Sequence, residues 1–101
     1  MDVTVVAQRR DILILEFEKK TFHEGINLTV RRGIKWSLQQ ADNVNIEYTR
    51  LMRCRDLRDY DLYLEHDEEC RTVEGLKNKL KRLYHNFNTR EIVTLVYFKT
   101  K

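Results

Sequence analysis

The sequence predicts an α+β domain of about five to six mostly antiparallel strands with two helices inserted late, or a small barrel of such strands with the helices plugging one side. Three observations predict it. Several short segments are dense in Val, Ile and aromatic residues, the composition of strands. One later segment, residues 72–85, repeats its apolar side chains at helical spacing. The 101 residues contain no proline and only three glycines, so nothing marks a linker, and the chain reads as one domain over residues 1–101.

Taken in order, "VTVVA" (3–7) reads as a strand, "QRRD" (8–11) as a turn and "ILILEFE" (12–18) as a second strand. "KKTFHEG" (19–25) reads as a helical turn or loop ended by Gly25. In "INLTVR" (26–31) Ile26, Leu28 and Val30 share one face, and Asn27, Thr29 and Arg31 the other, because side chains alternate along a strand. "ADN" (41–43) is a turn. "VNIEYTRLMRCR" (44–55) is a long strand with Val44, Ile46 and Tyr48 on one face and a register change near Leu51 and Met52. Asp59 can cap a short helix carrying Leu62 and Leu64, followed by an acidic run. "TVEGLKNKLKRLYH" (72–85) is the clearest helix, with Thr72 as N-cap and Val73, Leu76, Leu80, Leu83 and Tyr84 on its apolar stripe. "EIVTLVYFK" (91–99) closes the chain as a central strand. Tyr48, Tyr84, Tyr97 and Phe98 are assigned to the core.

Composition narrows the functional classes. The apolar fraction of 42% supplies a core without staples, and Cys54 and Cys70, without a C-x-x-C motif or a signal peptide, read as reduced thiols of a cytoplasmic protein. Apolar runs are far shorter than the roughly 20 residues that cross a bilayer, so no membrane association is expected. The net charge of +3 hides segregation: residues 1–55 sum to +3, 56–70 to −6 and 71–101 to +6. Two basic blocks therefore flank an acidic one, a pattern able to steer a polyanion.

The run "INLTVRRGIKW" concentrates the candidate chemistry. Thr29, Arg31, Arg32, Lys35 and Trp36 form a candidate nucleic-acid-binding set, since cations neutralise phosphate and an aromatic ring offers a stacking face to an unpaired base. Gly33 permits a turn that a side chain forbids. "HDEEC" (66–70) would place His66 and Cys70 on one helical face with carboxylates between; zinc needs three or four ligands and no second pair exists, so no metal site is assigned. His23 and His85 lack a nucleophile partner at motif spacing. No cofactor is implied.

The entry into "INLTVR" from a Gly-bearing turn, the stretch "DLRDYDLYLEHDEECRTVEGLKNKLKRLY" and the closing "EIVTLVYFK" resemble the ASCH family, from about Phe17 to Lys99. The resemblance implies a PUA-like β-barrel with a cleft that receives RNA or a nucleotide base. One branch of that family hydrolyses acetylcytidine with a Lys, a Thr and a Glu. Carried onto this chain, the Thr falls on Thr29 and the neighbouring Arg on Arg31. The Lys falls on Ile26, or on Asn27 with a one-residue slip, and the Glu on Gly75, beside Glu74. Two of three catalytic positions are thus missing or displaced, which leans away from an enzyme and leaves Thr29 and Glu74 as the only catalytic candidates. Three readings follow: a module binding RNA or a nucleotide in a basic cleft, an amidohydrolase of a modified nucleoside, or a protein-interaction module that uses the acidic segment 56–69 to mimic nucleic acid.

Overall fold

A computed structural model describes residues 13–101. Among these residues three antiparallel strands, β1 (Asn27–Arg32), β2 (Val44–Arg53) and β3 (Ile92–Thr100), form an open sheet in the order β1-β3-β2, and one α-helix, α1 (Val73–Leu83), packs beside it. The expected closed barrel with five to six strands and two helices is therefore not what forms. The segment 13–18, expected as strand, has no ladder partner; it lies across the sheet, tied by Leu13 and Leu15 to the side chains of Asp42 and Asn43. The strand expected at 3–7 and the turn at 8–11 lie outside the described residues. In place of the first helix stand 3-10 turns at Asp59–Asp61 and Glu68–Arg71.

β3 is central, as its nearly continuous apolar run requires: Val93 to Phe98, interrupted only by Thr94, are all buried, because both sheet faces are covered. On one face Val93, Leu95 and Tyr97 join Leu28 and Val30 against Leu76 and Leu80 of α1, with Cys54, Leu57, Leu62 and Phe87 completing the layer. On the other, Val96 and Phe98 join Val44 and Ile46 under Leu15, Trp36 and Ala41. The register shift in β2 falls between Ile46 and Tyr48, not near Leu51 and Met52. The extra residue rotates the strand after Ile46, so Tyr48 opposes Tyr97 instead of following Val44 and Ile46 inward. Tyr48 is consequently 49% exposed, not a core residue, and stacks on Tyr97 with ring centroids 4.3 Å apart.

α1 begins where its cap predicts. Thr72 Oγ1 accepts the Gly75 N–H, and Asp59, expected to cap a short helix of its own, instead accepts the Val73 N–H. Gly75 is a packing glycine: a Cβ there would stand 1.8 Å from the Glu69 carbonyl oxygen.

A candidate polar cleft at the sheet edge

β1 is an edge strand, and its outer edge is only partly paired. Leu28 donates to Leu64 and accepts from His66, a single parallel bridge with Glu65. Past that point the 64–67 segment turns away, and His66 offers its carbonyl to the Thr21 hydroxyl. Backbone groups alternate sides along a strand, so those of Val30 point the same way as those of Leu28, into the gap left behind. That gap is a cleft of about 60 Å³ between β1, the 65–70 turn, α1 and residues 16–18.

Its polar lining comes from Thr29, Arg31, Glu65, His66 and Lys79, with Tyr84 and the exposed carboxylates of Glu16 and Glu18. Arg31 Nε donates to Thr29 Oγ1 at 3.1 Å, and its guanidinium lies 5.1 Å from the Phe17 ring centroid. Burial lowers the Arg31 pKa. Glu65 Oε1 lies 3.4 Å from His66 Nε2 and accepts weakly from the Asp67 N–H. Burial pushes the Glu65 carboxyl up to about 8, so at neutral pH it carries its proton. Burial, assisted by the Lys79 charge, pushes His66 down to about 4. The imidazole is neutral, 3% exposed, and its Nδ1 has no hydrogen-bond partner among the described residues.

Lys79 is held by a 3.0 Å bond to Asp67 Oδ2. Burial, the largest single influence, favours the neutral form of each partner, but the bond together with the surrounding charges and, for Asp67, the Glu69 N–H outweighs it, raising Lys79 and lowering Asp67. Lys19 approaches the same carboxylate at 3.6 Å. Lys79 is a charged wall of the cleft, not a free base. Beyond His66 opens a shallow groove of about 760 Å³ whose rim mixes Lys19, Lys20 and Arg71 with Asp67, Glu68 and Glu69.

The five residues singled out in the sequence are divided. Thr29 and Arg31 meet at the cleft. Arg32 emerges on the α1 face, where Glu91 holds it at 2.6 Å beside Tyr84 and Phe87. Trp36 is 7% exposed, packed with Leu15 and Phe98, and offers no stacking face at a lip; Lys35 is exposed 5.6 Å from that ring. Glu74 is exposed on the first turn of α1 and does not line the cleft. Asn27 is fully buried and locks the 23–27 turn through both amide atoms.

None of Glu65, His66, Asp67 and Lys79 was assigned to a site from the sequence, although the "HDEEC" run set His66 beside the carboxylates that follow it. One signal did exist for Lys79: Leu76, Lys79, Leu80 and Leu83 follow the helical spacing of a buried stripe, so a lysine there needs a partner inside. Burial of Glu65 and Asp67 also removes two carboxylates from the acidic surface imagined for 56–69. Among the described residues no cluster of three or more metal-ligating side chains occurs, and no helix is long and apolar enough to cross a membrane. No family model, curated protein or solved structure matches the chain.

Proposed function

We propose that this cleft binds the edge of a nucleobase, as a free nucleoside or in RNA. The observation that carries the reading is geometric: the buried Glu65 carboxyl, its pKa raised by burial, stands with Arg31 and the Val30 edge, unpaired among the described residues, around one small hollow. A neutral carboxyl presents one donor and one acceptor, a strand edge presents the same pair, and a guanidinium adds donors. Base edges carry donors and acceptors side by side, so this lining complements them. The hollow is far below the roughly 300 Å³ that encloses a whole small ligand, so sugar and phosphate would lie outside, over the groove beyond His66. Titration with the four nucleosides, followed by backbone amide NMR, tests it. Shifts centred on Val30, Arg31, Glu65 and His66, abolished in Thr29→Ala, are expected; no shifts at millimolar nucleoside, or shifts centred elsewhere, would refute it.

A second reading is hydrolysis of an acyl amide on a modified nucleoside, because Thr29, Glu65 and Lys79 line one cavity. Glu65 then takes the acid/base role sought at Glu74: water adds to the acyl carbon, the C–N bond breaks, and the amine nitrogen takes the proton. Incubation with acetylcytidine would yield acetate and cytidine, and Glu65→Gln would stop it. Unchanged acetylcytidine excludes this reading and leaves base binding standing.

A further inference from the structure

The end of the molecule away from the cleft gathers cations that the fold leaves uncompensated. Arg53, Arg55 and Arg58 leave the end of β2 and the turn after it, Arg90 stands in the loop joined to that turn, and Lys77 and Lys81 flank it from α1. The placement is fixed by hydrogen bonds: Arg55 N–H donates to Thr89, Cys54 N–H to Glu91, and Arg53 Nη1 to the Arg90 carbonyl at 2.7 Å. Arg58 Nη1 reaches the carbonyls of Arg55 and Leu57. Lys77 and Lys81, one helical turn apart on the same face, are the two cations that act electrostatically on Cys54 in this turn.

Five of the six are exposed and Lys77 is half-buried. Among the described residues none of the six side-chain cations lies within 4 Å of a carboxylate, although the Arg58 backbone N–H donates to Asp61 Oδ2 at 2.9 Å, whereas those of Lys19, Arg32, Arg50, Arg71, Lys79, Arg82 and Lys99 all do. Asp56 is the exposed carboxylate of the same turn, and Glu91 nearby is already held by Arg32. The six cations stand against Asp56, Asp59 and Asp61 of the same stretch, a local excess of about three positive charges. Two of the guanidiniums are anchored on backbone carbonyls, which fixes their position while leaving other N–H groups free to donate.

We propose that this basic end is a second interaction surface, which docks the sugar–phosphate backbone of a nucleic acid independently of base sequence. Fixed arginines suit phosphate oxygens through forked donation, and mobile lysines supply counter-charge along the strand. The inference goes beyond the cleft reading and does not rest on it.

The test measures binding of fluorescein-labelled 12-mer oligouridylate to the full chain by anisotropy, across a series of salt concentrations. With four cations engaged, log K falls with log salt at a slope of about −3, since each phosphate contact on a single strand contributes about −0.7. Reversal at Arg55→Glu with Lys81→Glu is expected to weaken binding at least tenfold and flatten the slope by about 1.4. A separate Lys77→Gln with Arg90→Gln variant, which touches no anchoring bond, is expected to act in the same direction and guards against a folding defect. Lys99→Glu with Lys101→Glu makes the same net-charge change at the opposite end of β3, and should leave affinity within about twofold. Oligothymidylate giving the same slope supports backbone reading. Equal losses in both reversal variants, salt-independent binding, no binding at low salt, or preference for vesicles of anionic phospholipid over the oligonucleotide would each overturn the proposal. Nucleoside shifts at Val30 and Glu65 are read separately, so failure here leaves the cleft reading intact and the converse also holds.

Discussion

Replacing Glu65 by Gln isolates the most unusual group in the molecule. In the unfolded chain this carboxyl ionises near 4.5, and in the folded one near 8, because it is almost fully buried. The sign follows from proton counts. Between those values the folded state holds a proton that the unfolded state has lost, so stability is full below about 4.5 and declines as pH rises toward 8. Each pH unit in that window removes about 1.4 kcal/mol, so raising the pH from about 6.5 to about 8 removes about 2 kcal/mol. Gln keeps the shape and the hydrogen-bonding capacity without the titration, and its profile should lack this decline. His66, ordinarily near 6.5 and about 4 when folded, adds a small rise at the foot of the interval, and Cys70, raised from 9.0 to about 12, a small fall at its top, so the difference between wild type and Glu65→Gln isolates Glu65. Urea unfolding followed by circular dichroism at several pH values from about 6.5 to 8.5 measures both proteins. Parallel profiles for wild type and Glu65→Gln would show that Glu65 is ionised and solvated in the folded state, and the donor–acceptor argument for the cleft would go with it.

Three further outcomes follow from the packing. Gly75→Ala drives a methyl group against a backbone carbonyl that cannot rotate away, and should lower stability by about 3 kcal/mol, read as a drop in thermal midpoint. Asp67→Ala strands the Lys79 ammonium in a site where it is 9% exposed, and should destabilise by about 3 to 5 kcal/mol, whereas the double variant with Lys79→Met should recover most of that loss in the same denaturation assay. Trp36 fluorescence should be blue-shifted in the folded protein and unresponsive to nucleosides that shift the Val30 amide, because the indole belongs to the core; quenching by bound nucleoside would place the ligand elsewhere.

The divided fate of "INLTVRRGIKW" shows how far local pattern reaches. Alternation placed Thr29 and Arg31 on one face and Arg32 on the other, and the structure keeps that division. Nothing in the spacing said that Trp36, four residues past the strand, would fold back under Phe98 and Val96. The register change in β2 was expected from sequence but not its position, since a bulge depends on the partner strand it must match. The "ILILEFE" segment has the composition of a strand and finds no ladder, because Asp42 and Asn43 side chains, not a neighbouring strand, take up backbone groups at Leu13 and Leu15. Glu65 and Asp67 read as part of a solvated acidic run, since a carboxylate's burial depends on cations arriving from elsewhere in the chain.

By itself the sequence determined the helix over 72–85 with its Thr72 cap, the central placement of 91–99, and the pairing of Thr29 with Arg31, all of them consequences of side-chain periodicity within a few residues. Only the tertiary structure decided that the sheet stays open, that β1 keeps an unpaired edge, and that Glu65, His66, Asp67 and Lys79 close around it. Those contacts join positions far apart in the chain, and their chemistry comes from the exclusion of water, which no single segment can bring about alone.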